Sequence, residues 1–206
     1  GANRMRILVV GGGGREHALV WKLARSGRAS TIFCAPGNAG IAELAECLPV
    51  AATDIEKLAA AAAAKQVDLT VVGPEAPLAS VLADSLRSHG IAVVGPSQEA
   101  ARLESSKVFA KRLMQKYSIP CAKDEVFNSL TEAEAYVKKQ PVPVVIKADG
   151  LAAGKGAIVA QSLDEALKAL SDIMEKRVFG DAGNQVLVEE CLVGRETSLL
   201  AFTGGK

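Results

Sequence analysis

Short apolar runs recur along the first half of the chain, and most of them end at glycine or proline. Runs of four to six residues that are rich in Val, Ile and Leu predict buried strands. We expect such strands over 5–10, 31–35, 69–72 and 91–94, with a further short strand over 48–51.

The apolar positions between these strands have helical spacing. Helices are predicted over 16–26, over 54–66 with Thr53 as N-cap, and over 78–88. Strands that alternate with helices at short intervals are typical of a parallel sheet with helices on both faces. Ligands of such folds bind at the carboxyl ends of the strands. The loops expected at those ends are 11–16, 36–40, 73–78 and 95–97.

The pattern changes after Ser97. A long helix is predicted over 98–117, with a charged face that includes Lys111 and Lys116. Further helices are expected over 131–139 and, capped by Ser162, over 163–175. Strands are expected over 144–147, 157–160, 185–190 and 197–202. This half is therefore predicted to be α+β with at least one hairpin, and we expect a domain boundary between 97 and 120.

Composition narrows the class of protein. The net charge of +1 gives no whole-chain attraction to nucleic acid or membranes, and 4% aromatic residues disfavour a base-stacking surface. The four cysteines have no CxxC spacing and there are only two histidines, which disfavours a zinc site and fits a reducing cytoplasm. No apolar run reaches the roughly 18 residues of a membrane span.

Four consecutive glycines, Gly11 to Gly14, lie between a predicted strand and helix. Such a loop lets the backbone approach an anion at a helix N-terminus. The dinucleotide fingerprint GxGxxG would need its third glycine at Glu16, and it needs an acid after the second strand, where Ala35 and Pro36 stand instead. A phosphate of a smaller metabolite and a tight turn without a ligand both stay open.

Polar residues at the other strand ends have the same two interpretations. Asn38 and Glu75 either point into a shared crevice or belong to rigid Pro/Gly turns. Arg15, Glu16 and His17 open the helix after the glycine run, where a solvated first turn is the simpler interpretation.

The stretch VVIKADGLAAGKGAIVA, 144–160, contains a glycine-rich turn with lysines but is not a Walker loop. The pattern GxxxxGKS/T would put a glycine at Asp149 and Ser or Thr at Gly156, and a helix would follow. Here a strand follows, which predicts a strand–flap–strand unit. Such a flap can cover a triphosphate, with Lys147 as a point charge on a phosphate oxygen. A mobile hairpin tip is the alternative.

The apolar strand 185–190 ends in two acids, Glu189 and Glu190. Backbone groups there are suited to an adenine edge and a carboxylate to a ribose. A strand end that meets water explains the residues equally well.

Seven stretches together resemble the glycinamide ribonucleotide synthetase family of the ATP-grasp superfamily. In chain order they are GGGGREHAL (11–19), APGNAG (35–40), VVGPEAPL (71–78), GPS (95–97), LESSKVFAK (103–111), IKADGLAAGKG (146–156) and VEECLVGRETS (188–198). Each stretch is a weak signal, but seven in the family's order and spacing cover nearly the whole chain.

The resemblance implies a Rossmann-like N-terminal substrate domain, 5–97, and the first part of an ATP-grasp domain, 98–206, with a flap subdomain at about 121–190. It also implies site residues. Those expected at ATP are Lys107, Lys147, Gly154, Lys155, Gly156, Glu189, Glu190, Cys191, Leu192 and Glu196. Those expected at the phosphoribosyl substrate are Gly12, Gly13, Gly14, Arg15, Glu16, Asn38, Glu75, Pro77 and Leu78.

The implied activity joins glycine to 5-phosphoribosylamine in purine biosynthesis, through a glycyl phosphate made with ATP and Mg²⁺ or Mn²⁺. The family's metal ligands belong to a later part of the protein, so none is assigned in this chain. We expect a cytoplasmic monomer with small-molecule substrates and no catalytic side-chain nucleophile. The chain ends at Lys206 inside an expected hairpin, which predicts a fragment that is inactive alone.

Two other functions stay open at this stage. A different ATP-grasp ligase or carboxylase would share the lysines and the flap but would differ in the N-terminal loops. A dinucleotide-binding oxidoreductase is disfavoured by the incomplete fingerprint, and NADH binding would revive it.

Overall fold

The computed structural model describes residues 4–152 and 155–201. They form two compact units, divided between Ala110 and Lys111.

The first unit is built on a five-stranded, wholly parallel sheet. Its strands are β1 (Met5–Gly11), β2 (Ala29–Pro36), β3 (Glu46–Cys47), β4 (Leu69–Val72) and β5 (Ala92–Val94). Their order in the sheet is β3-β2-β1-β4-β5, so the chain turns in opposite directions on the two sides of β1. The carboxyl end of β1 is the position where such sheets bind ligands.

Helices cover both faces of this sheet. They are α1 (Gly14–Ala24), α2 (Ala39–Ala42), α3 (Ile55–Ala64), α4 (Glu75–Ala79), α5 (Leu82–Ser88) and α6 (Gln98–Ser105). The next helix, α7 (Lys107–Lys116), contains the point that divides the two units. Strand β1 explains the layering, because Leu8 and Val10 join one apolar cluster while Val9 joins another with Val20 and Ile41. A strand buried on both faces needs a continuous apolar sequence, and β1 has one.

The second unit contains an antiparallel sheet of four strands in the order β6-β9-β7-β8. These strands are β6 (Asp124–Phe127), β7 (Val144–Ala148), β8 (Ala157–Ala160) and β9 (Val186–Glu190). Helices α8 (Leu130–Val137) and α9 (Leu163–Leu170), a π-helical turn (Ser171–Glu175) and a 3₁₀ turn (Gly180–Asn184) complete the described part. The helices bury one face of the sheet, which contributes Val144, Ile146 and Val188 to their shared core.

The fold confirms the predicted parallel first half and the α+β second half, and it corrects several elements. The third strand is Glu46–Cys47 and not 48–51, because Pro49 has no N–H with which to continue the ladder beyond Leu48. Asp54, rather than Thr53, caps α3 by accepting from the backbone N–H of Lys57.

Two predicted helices are each divided in two. The helix expected over 78–88 is interrupted at Val81, which has a positive φ of 65°, and the helix expected over 98–117 is interrupted at Ser106, which is extended. No strand forms in 197–201, the described part of the strand expected over 197–202.

Candidate functional sites

The loops after β1 and β2 contact each other directly at the carboxyl edge of the parallel sheet. A Cβ on Gly12 would lie 2.5 Å from the backbone oxygen of Gly37. Asn38 Nδ2 donates to the carbonyl of Gly12 at 2.9 Å, and Asn38 Oδ1 accepts from the N–H of Ile41 at 2.9 Å. Asn38 therefore fastens the glycine run to the start of α2.

Glu16 ties the glycine run to the loop after β4. Its side chain is only 5% exposed, and Oε2 accepts from the N–H of Gly13 at 2.7 Å. A Cβ on Gly73 would overlap the Glu16 carboxylate, and one on Gly11 would lie 2.6 Å from Glu16 Cγ. Glycine at positions 11 and 73 leaves room for a buried carboxylate. Glu16 therefore packs between the loops after β1 and β4 and does not lie in a solvated first turn.

Arg15 projects from this buried acid toward the loop after β4. Its Nε donates to Glu16 Oε1 at 2.9 Å and its Nη1 to Glu75 Oε1 at 3.1 Å. The bonds to Glu16 and Glu75 raise the pKa of Arg15. Half of the Arg15 and Glu75 side chains stays exposed, so both remain accessible to a ligand at the strand ends.

The other predicted substrate residues differ in accessibility. Pro77 and Leu78 are buried in α4, and Leu78 packs in the core beneath the sheet edge. Gly14 has nothing within 4 Å of the position of a Cβ, so it is the open side of the glycine run.

The Arg15–Glu75 pair has a testable consequence for pH. The backbone N–H of Glu75 and then the bond from Arg15 hold the pKa of Glu75 below its ordinary 4.5. A depressed carboxyl pKa stabilises the fold at neutral pH, and this contribution is lost as pH falls through that pKa. We expect Arg15→Met to raise the pKa of Glu75 but leave it below 4.5, in a carboxyl NMR titration assigned with Glu75→Gln. An unchanged pKa would contradict the pairing.

The second unit contains a cluster of four charged side chains on one side of its sheet. Lys147 Nζ on β7 lies 2.6 Å from Glu189 Oε2 on β9. Lys111 Nζ lies 3.4 Å from Glu189 Oε1 and 3.7 Å from Asp124 Oδ1. The carboxylates of Glu189 and Asp124 are each only 4% exposed, whereas Lys147 is 28% exposed. Lys147 is therefore the member of the cluster that solvent, or a ligand, can reach.

Glu189 has an unused acceptor. Within 4–152 and 155–201, Glu189 Oε1 is one of two buried side-chain atoms without a hydrogen-bond partner, the other being Thr70 Oγ1. Lys111 Nζ lies 3.4 Å from this oxygen as an ion-pair partner, so the charge of the oxygen is compensated while its hydrogen-bonding capacity is unused.

Of the residues after Glu189, Glu190 still pairs with the chain next to it, and the residues beyond it have no regular structure. Glu190 accepts from the N–H of Lys123 at 2.8 Å, and its own N–H bonds the Lys123 carbonyl at 3.0 Å. Leu192 is 68% exposed, and Glu196 lies in an exposed segment without regular structure. Of these predicted ATP residues, the structure brings only Glu189 to Lys147.

A cavity of about 290 Å³ borders the same segment, with Tyr136 and Pro143 among its lining residues. Val188 faces the core shared with α8, so the neighbouring Glu189 side chain points to the opposite side of the sheet. Glu189 is nevertheless one of the residues that line the cavity, so the cavity adjoins the charged cluster at this residue.

The glycine flap is the hairpin that the sequence predicts. Strands β7 and β8 pair antiparallel, with Val144 opposite Ala160 and Lys147 opposite Ala157. The carbonyl of Gly156 accepts from Ala148, and Lys155 is exposed. The predicted Gly154 lies outside the described residues. The predicted Lys107 is the first residue of α7, in the first unit.

Within the described residues, no group of three or more His, Cys, Asp or Glu side chains is arranged to hold a metal ion. No helix in that part of the chain is long and apolar enough to cross a membrane.

The first unit has a parallel sheet, and the second has a glycine-containing hairpin with Lys147 on its first strand. This combination is typical of the ATP-grasp class, to which the chain belongs. The family described as "Phosphoribosylglycinamide synthetase, N domain" matches residues 5–104, and "Phosphoribosylglycinamide synthetase, ATP-grasp (A) domain" matches residues 105–206. The chain belongs to the phosphoribosylglycinamide synthetase family, which confirms the resemblance in the sequence.

Curated relatives agree over the whole chain. The phosphoribosylamine–glycine ligase of Caldanaerobacter subterraneus subsp. tengcongensis is 49% identical over 202 residues, which is 98% of this chain and 48% of that protein. The ligase of Ralstonia nicotianae is 50% identical with the same coverage. The chain thus spans about half the length of the curated relatives it matches.

Solved structures share the fold. The phosphoribosylamine–glycine ligase of Thermotoga maritima is 34% identical with a TM-score of 0.77, covering 92% of this chain and 44% of that one. Biotin carboxylase of Campylobacter jejuni is only 19% identical but has a TM-score of 0.74, covering 92% of this chain and 46% of that one. The second likeness shows the fold alone.

Proposed function

We propose that this chain is part of an ATP-dependent ligase that joins glycine to 5-phosphoribosylamine. One observation supports the nucleotide part most directly. A partly exposed lysine, Lys147, lies beside the glycine hairpin and is paired to a buried glutamate, Glu189, in a chain of this family.

The chemistry explains the kind of site required. A glycine carboxylate oxygen attacks the γ-phosphorus of ATP, and ADP leaves. The amine of 5-phosphoribosylamine then attacks the glycyl carbonyl carbon, and phosphate leaves as the amide forms. The protein positions the reactants and compensates phosphate charge, so no side-chain nucleophile is needed.

The nucleotide residues take distinct roles in this proposal. Lys147 binds a phosphate oxygen, and Lys107 joins it on the basis of the family motif. The flap, including Gly154, Lys155 and Gly156, closes over the phosphates through backbone N–H groups. Glu189, Glu190, Cys191 and Leu192 contact adenine, and Glu196 the ribose.

The first unit holds the phosphoribosyl substrate in this proposal. Glycine amides at the start of α1 and the Arg15 guanidinium are suited to an anionic phosphate. Asn38 and Glu16 fix the loops that carry these groups, and Glu75 restrains Arg15. Pro77 and Leu78, the buried residues of α4, support the loop after β4.

Mg²⁺ or Mn²⁺ is expected to compensate the phosphates in the whole enzyme. No residue of this chain is assigned to the metal, because the family resemblance puts the metal ligands in a later part of the protein. We also propose that the enzyme is a cytoplasmic monomer.

The test is ADP release by the full-length protein when each substrate is omitted in turn. We expect release only when glycine and 5-phosphoribosylamine are both present. Release that is indifferent to glycine would contradict the proposal and favour another ATP-grasp ligase or carboxylase. NADH binding without ATP binding would favour an oxidoreductase.

A further inference from the structure

Lys111 is a buried lysine for which the proposed reaction gives no role. It lies on α7, where the charged face of the sequence suggested a solvated residue, yet its side chain is only 11% exposed. Its Nζ donates to the carbonyl of Ala122 at 2.7 Å. A lysine is rarely buried unless its charge is paired, so the acids around it explain its position.

Two lysines share the Glu189 carboxylate, one at each oxygen. Lys147 is 2.6 Å from Oε2, and Lys111 is 3.4 Å from Oε1. Asp124 is the second acid facing Lys111, and it also accepts from Gln115 Nε2 at 3.2 Å. The cluster is thus balanced, with two cations and two anions.

The proposed function makes conflicting demands on Lys147. A lysine that turns toward a phosphate oxygen compensates its carboxylate less well, and a poorly compensated buried carboxylate is strongly unfavourable. Lys147 can therefore bind phosphate readily only if another cation stays with Glu189. Lys111 meets this requirement, because the Ala122 carbonyl anchors it and it is little exposed to a ligand.

We propose that Lys111 is a positioning residue that stays with Glu189 as its counter-ion and so releases Lys147 to the phosphates of the nucleotide. The proposal rests on the proposed function, because it needs an ATP site at Lys147. Lys111 acts only through Glu189 and does not touch the nucleotide.

A double-mutant cycle on the full-length protein tests this coupling. The variants are Lys111→Met, Glu189→Gln and the two together, with Lys116→Met as the control, an exposed lysine on the same helix. Affinity is measured by calorimetry with a non-hydrolysable imido analogue of ATP and with tripolyphosphate, and thermal unfolding is followed in parallel. If Lys111→Met does not fold, Lys111→Gln replaces it, since its amide is also a donor.

We expect Lys111→Met to weaken both ligands about tenfold, a typical size for coupled neighbours. In the Glu189→Gln background, Lys147 no longer neutralises a carboxylate. There Lys111→Met should lower the affinity for both ligands by less than about twofold. Lys111→Arg should restore the tripolyphosphate affinity, and Lys116→Met should not alter it.

Equal losses from Lys111→Met in both backgrounds would overturn the inference and leave Lys111 a purely structural residue. Unchanged affinity in Lys111→Met would overturn it as well. Failure of the unmodified protein to bind either ligand would instead overturn the proposed function, so the two failures are distinguishable.

Discussion

Lys147→Met is expected to weaken ATP binding to the full-length protein by about a hundredfold, since truncating one partner of a close charge pair commonly costs 2–5 kcal/mol. Lys147 is the more exposed lysine of the cluster, so the buried Lys111 does not replace it at the phosphates. Glu189 keeps Lys111 as a partner at 3.4 Å, so the fold should lose much less than the ligand does. Calorimetry with the imido analogue of ATP measures the affinity, and thermal unfolding measures the fold.

The matched control for this variant is Lys168→Met. Lys168 is an exposed lysine of the same unit, paired with Asp172 at the surface. We expect its ATP affinity to stay within about twofold of the unmodified protein, as surface ion pairs contribute little. Equal losses of ATP affinity in Lys147→Met and Lys168→Met would show that Lys147 does not contact the nucleotide.

Gly12→Ala and Gly14→Ala are expected to have opposite outcomes although both belong to the same glycine run. The Gly12 variant should destabilise the first unit by about 2 kcal/mol, because its Cβ would lie 2.5 Å from the backbone oxygen of Gly37 and backbone atoms yield little. The Gly14 variant should be neutral or up to about 1 kcal/mol more stable, because nothing lies within 4 Å and alanine favours the helix.

Urea unfolding of the 206-residue chain separates these outcomes. Its single tryptophan, Trp21, lies in α1 directly after the glycine run and reports on the first unit. Similar stabilities for the two variants would contradict the close approach of the loops. The affinity of the full-length protein for 5-phosphoribosylamine adds a second comparison. A loss of affinity in the stable Gly14 variant would show that the substrate occupies its open side.

The elements that the sequence predicts well are those whose apolar pattern is decided locally. Strands β4 and β8 have the predicted bounds, and the glycine flap joins two strands because apolar runs stand on both of its sides. Strand β6 has no such pattern. Its Asp124 and Glu125 suggest a loop, and only pairing with β9, which is distant in the sequence, makes it a strand.

Charged residues at the sites are harder to predict because their burial depends on distant parts of the chain. Glu16 looks like a solvated first-turn acid until Gly73, far along the sequence, is seen to leave space for its carboxylate. Lys111 looks like part of a charged helix face until Asp124 and Glu189 are brought beside it. The family motifs make Lys147 and Glu189 candidate site residues, but only the structure shows that they are paired with each other.

The most direct test of the ligase proposal follows an oxygen atom. Glycine labelled with ¹⁸O in both carboxylate oxygens is given to the full-length protein with ATP and 5-phosphoribosylamine. If the carboxylate is phosphorylated and the amine displaces phosphate, each phosphate released carries one ¹⁸O and the amide product keeps the other. Unlabelled phosphate, formed together with ADP, would contradict a glycyl phosphate intermediate and with it the proposed reaction.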